Sequence, residues 1–171
     1  MNDGFLSYLQ QLEMIAFFSW YPLVFAISYA IAENAKINKG FISFILPSLP
    51  FSYGLLGILF LGLQLKNLYP DYSSANINSH LQHPYLVIWG LLAILFFIPG
   101  LRKKKQLPLI HSFAFFALIL IDLLKHFSNS NGIVQNDMKV YAFSLIFNMC
   151  TLLVVTTIGY LFKLSQKTPA S

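Results

Sequence analysis

The chain has 171 residues, of which 57% are hydrophobic and only 10% charged, against about 25% charged in an ordinary soluble domain. Eleven Lys and Arg against six Asp and Glu give a net charge of +5. A soluble globule of this size cannot hide so much apolar surface, which excludes a disordered chain, a secreted disulfide scaffold and a nucleic-acid-binding domain, and leaves an integral membrane protein.

Crossing a hydrocarbon layer of about 30 Å takes about 20 apolar residues at 1.5 Å each. Five segments qualify, at 14–32, 41–65, 84–101, 107–127 and 140–162. Each reads as a helix, since lipid satisfies no backbone N–H or C=O, and the runs lack the alternation of barrel strands. The fold class is therefore all-α integral membrane, with five transmembrane helices in a single polytopic domain over 1–171.

The first span begins just after Glu13. The twelve residues before Glu13 contain no Lys or Arg, so they translocate readily and do not form the basic region of a cleavable signal. The second span carries Pro47 and Pro50 followed by Gly54, Gly57 and Gly62. Each proline removes a backbone donor and crowds the preceding turn, so a kink or break is expected there. Pro47 and Pro50 are thus candidate hinge residues, while the glycines suit close helix packing.

The 66–83 loop is rich in Asn, Ser and Tyr and ends in His80-Leu81-Gln82-His83, just before the third span. Three and four are joined by Arg102-Lys103-Lys104-Lys105. That basic patch orients the chain and suits anionic lipid or an acidic cytoplasmic partner. On the fourth span, His111 is expected near the cytoplasmic edge and Asp122 about 7 Å short of the other end. Lys125 and His126 follow Asp122 at i+3 and i+4, where either can neutralise the carboxylate. His111, Phe115, Leu118 and Asp122 continue one face. His80, His83 and His126, with nearby carboxylates, have the ligand types of a metal or haem site. On the fifth span Ser144, Asn148 and Thr151 share a face, with Asn148 about 12 Å deep, suited to interhelical bonding or to lining a pathway. Cys150, the only cysteine, excludes an intramolecular disulfide.

Five crossings place 36–39, 102–105 and 163–167 on one side, with eight of the eleven basic residues. By the positive-inside rule the N-terminus is outside and the C-terminus cytoplasmic. Trp20, Tyr21 and Trp89 then fall near the outer boundary, as an aromatic belt. Sequons are absent from the outer loops, consistent with a bacterial inner membrane.

Serine-triad, metalloprotease, phosphate-loop and paired-acid patterns are all missing. The size and layout resemble membrane input modules of bacterial sensors and small accessory subunits of membrane complexes. A non-catalytic protein working through homo-oligomerisation, or as an accessory or sensor subunit bound to another membrane subunit, is the favoured function. The alternatives are a small channel or transporter with a pathway past Asn148 and Asp122, and a metal- or haem-binding redox protein using the outer histidines.

Overall fold

The computed structural model describes residues 13–34, 39–67, 69, 73, 84–104, 106–128 and 135–166. Among them every regular element is helical. After a helical stretch at 13–18 come α1 (Tyr21–Asn34), α2 (Lys39–Asn67) and α3 (Pro84–Ile94). A 3₁₀ turn (Leu95–Phe97) leads to the short α4 (Pro99–Arg102), followed by α5 (Leu107–Ser128) and α6 (Gln135–Ser165). Three helices are long and apolar enough to cross a membrane, Glu13–Glu33, Gly40–Lys66 and Tyr141–Ser165, and two shorter apolar helices cover Val87–Phe97 and Leu107–Ile121.

Prolines punctuate the elements in a way that differs from expectation. Helix α2 runs unbroken through Pro47 and Pro50, so a broken helix is excluded there. Its contacts with α1, α3 and α6 hold the chain helical despite the two missing donors. The breaks fall elsewhere. In the first span the backbone bends at Ser19 and Trp20, just before Pro22, whose ring and missing N–H disrupt the turn ending at Phe18. Ser19 N still donates to the Ile15 carbonyl at 3.1 Å, and Val24 N resumes the ladder at the Trp20 carbonyl at 3.0 Å. In the third span Pro99 pushes Ile98 into extended geometry (φ −67°, ψ 126°), as the residue before a proline prefers. Helix α3 therefore ends early instead of continuing to 101.

Helix α2 is the hub, packed against α6, α3 and α1, while α5 docks mainly on α1. Close approach of α2 and α3 depends on absent side chains. A Cβ on Gly57 would stand 2.7 Å from the Ala93 Cβ and 3.0 Å from the Gly90 carbonyl oxygen. The α2–α6 pair runs antiparallel, with Phe41 and Phe44 edge-on to Tyr160 at 5.6 and 5.8 Å and Lys163 Nζ 4.7 Å above the Phe44 ring. At the opposite end of α2, Gln64 Nε2 donates to Glu13 Oε2 at 2.8 Å. Between these ends Phe18, Tyr53, Leu56 and Phe60 are almost wholly buried and form the centre of the core.

Candidate functional site

Tyr53 is the middle residue of α2, 14 residues from either end, or about 21 Å. It is fully buried, and its Oη lies 2.7 Å from His111 Nδ1. The phenol donates when the imidazole proton is on Nε2 and accepts when it is on Nδ1. His111 is therefore level with the middle of α2. The chain breaks at Ile98, and the second turn of α5 meets Trp89 and Phe96 through the His111 ring.

Around the imidazole stands an aromatic cage from four stretches of chain. Trp89 lies nearly face-on, with ring centres 4.5 Å apart and planes 32° from parallel. Phe18 and Phe96 present edges at 5.9 and 6.0 Å, and Phe115 closes on Trp89 at 5.2 Å. Tyr21 packs 4.6 Å from the Tyr53 ring. Ring pairs of this kind add about 0.5–1.5 kcal/mol each beyond area burial. His111 Nε2, Trp89 Nε1 and Tyr21 Oη are buried within this cage without a protein hydrogen-bond partner. The cage thus joins helices through one polar bond and keeps unused hydrogen-bonding capacity at its centre.

A second polar joint closes the break in the first span. Ser144 Oγ donates to the Ala16 carbonyl, and Asn148 Nδ2 reaches the same oxygen at 3.3 Å while bonding the Ser144 carbonyl at 2.9 Å. The bend three residues beyond Ala16 disturbs the local ladder, and α6 supplies the replacement donors. Thr151 does not join them: its Oγ1 bonds its own helix at the Phe147 carbonyl, 2.8 Å away. Asn148 Oδ1 and Thr156 Oγ1 are buried without partners.

The predicted polar faces of the fourth and fifth spans therefore meet different partners, Tyr53 for His111 and Ala16 for Asn148. Along α5 the buried face follows His111, Ser112, Phe115 and Ile119, while Leu118 is half exposed. Tyr21 is buried in the core and Trp89 packs against it. Lys103 and Lys104 are exposed in the turn before α5. His80 and His83, and the side chains of Arg102, Lys105, Asp122, Lys125 and His126, lie outside the described residues. Among the described residues no three His, Cys, Asp or Glu are grouped to hold a metal ion. Cys150 is exposed on α6.

Sequence reasoning missed Tyr53, Trp89, Tyr21 and Ala16. The legible clue was Trp20-Tyr21-Pro22, a proline inside an apolar run that frees carbonyls just upstream. The pairing of Tyr53 with His111, 58 residues apart, left no local trace. Comparisons with protein-family models, curated proteins and solved structures find no match to the chain.

Proposed function

We propose that the chain is a non-catalytic protein of the bacterial inner membrane, crossing five times with its N-terminus outside, and that it works by association with itself or with another membrane subunit as an accessory or sensor component. The observation that carries this reading is the use made of the deep polar side chains. Ser144 and Asn148 spend their donors on the Ala16 carbonyl, and His111 bonds Tyr53 inside a packed ring cluster. They act as joints between helices, and interhelical hydrogen bonds in lipid are worth about 0.6–2 kcal/mol.

Pairing of the helix ends supports the arrangement of the spans. Glu13 meets Gln64 at one end of α2, while Phe44 meets Tyr160 and Lys163 at the other, the end assigned to the cytoplasm by its basic residues. The two shorter apolar helices complete five crossings when the 3₁₀ turn and α4 extend α3 towards the basic link. A broad apolar surface remains outside the bundle, including Phe143, Ile146, Val154 and Phe162 on α6, open to lipid or to a neighbouring subunit.

Mass measurement of the full chain in mild detergent, with cross-linking in native membranes, tests the proposal. A discrete oligomer or a stoichiometric membrane partner is the expected result. A strict monomer that cross-links to nothing would overturn it.

A further inference from the structure

Between α4 and α5 lies an open concavity of about 390 Å³ lined by Lys103, Lys104, Gln106, Leu107 and Ile110. Its polar wall and its apolar floor come from adjacent turns of one short segment. Lys104 N bonds the Leu101 carbonyl at 3.0 Å and Leu107 N bonds the Lys104 carbonyl at 3.0 Å, so the backbone folds tightly back on itself. Both lysine side chains are exposed on this turn. Gln106 adds an amide to the same wall. Directly beneath, Ile110 is 72% exposed and Phe113 is 62% exposed. They begin an apolar strip that continues down α5 through Ala114 and Ile121.

Each half of this hollow asks for a different chemistry. Two ammonium groups attract a phosphate monoanion, whereas an exposed Ile and Phe in line with them attract a hydrocarbon chain. A free inorganic anion would leave the apolar floor uncovered, and a zwitterionic headgroup would bring a cation against the lysines. The ligand that satisfies both halves is an amphiphile with an anionic head. We propose that this concavity is a binding site for one anionic phospholipid, its phosphate held by Lys103, Lys104 and Gln106 and one acyl chain laid along Ile110 and Phe113. The site needs the chain to lie in a bilayer but not to self-associate, so its failure and that of the association reading are distinguishable.

The test uses the full chain, exchanged into nanodiscs of phosphatidylcholine containing a minority of phosphatidylglycerol and then examined by native mass spectrometry. Retention of phosphatidylglycerol over phosphatidylcholine by about thirtyfold is expected, on the scale of the attraction of two basic residues for an anionic lipid. Lys103→Gln/Lys104→Gln abolishes the preference, and Ile110→Trp, which fills the hollow without changing charge, lowers retention severalfold. Glycerol phosphate, which has the head but no tail, does not displace the bound lipid. Equal retention of the two lipids would sink the proposal, as would a preference unaltered in either variant. Displacement by glycerol phosphate would overturn the lipid assignment in favour of a plain anion site. Both lysines and Ile110 are exposed, so the variants keep the bundle, which circular dichroism checks.

Discussion

His111 shows how much a single side chain can bind together in a low-dielectric interior. Its ring touches rings from three other stretches of chain and bonds Tyr53. Removing one partner of a buried bond strands the other, at a cost of about 1–3 kcal/mol. His111→Phe preserves the ring but leaves the Tyr53 hydroxyl without its bond, so it lowers unfolding stability by about that amount. Tyr53→Phe also removes this bond. A double-mutant cycle of the two, read by denaturant titration in bicelles, yields a coupling of about 1 kcal/mol. Additive effects would show that the bond contributes nothing. His111→Ala opens a void among the rings and costs more, about 2–4 kcal/mol. At the second joint, Asn148→Leu removes one of the two donors to Ala16 and costs about 0.6–2 kcal/mol. Ser144 remains bonded there, which makes Ser144→Ala/Asn148→Leu more damaging than either change alone.

At the scale of elements, prolines and glycines divide the labour differently from their positions in the sequence. Pro47 and Pro50 sit in an unbroken helix with neighbours on several sides, whereas Pro22 and Pro99 bend segments whose freed carbonyls or early turns the tertiary structure uses. The glycines show the same dependence on surroundings. Gly57 faces backbone and Cβ atoms of α3, which cannot swing aside, whereas an added Cβ at Gly62 meets nothing within 4 Å. Gly57→Ala therefore pushes α2 from α3 and destabilises by about 1–3 kcal/mol. Gly62→Ala is neutral or stabilises the helix by up to about 1 kcal/mol. Unfolding curves of the two variants, recorded side by side, check the contrast, and equal effects would refute the packing of α2 on α3.

For the whole molecule, charge placement predicts the orientation. Lys39 and Lys163 lie at one end of the α2–α6 pair, and the sequence places the four-residue basic link on that same side. With Cys150 replaced by Ser, a cysteine introduced as Lys104→Cys is expected to react with a membrane-impermeant maleimide only after the cells are permeabilised. Labelling in intact cells would reverse the faces and move the proposed lipid site to the other leaflet.

Much of the architecture was legible residue by residue. Apolar length marked the positions of the helices, three of them long and apolar enough to cross a membrane, because hydrocarbon demands continuous internal backbone bonding whatever the neighbours are. Polar residues on the spans were legible as needing partners, and Ser144 and Asn148 bond across to the Ala16 carbonyl. Their partners were not: Ala16 is an ordinary alanine whose carbonyl matters only because Pro22 bends the chain beyond it. His111 was legible as polar but its partner was not, since Tyr53 lies 58 residues away in the chain. What the sequence determined alone is what depends on solvent and on nearest neighbours, namely apolar length, helicity and the bias of basic residues. What only the tertiary structure decided is which carbonyl, ring or hydroxyl stands opposite each polar group, because that depends on contacts between residues tens of positions apart and on bends that set their level in the bundle.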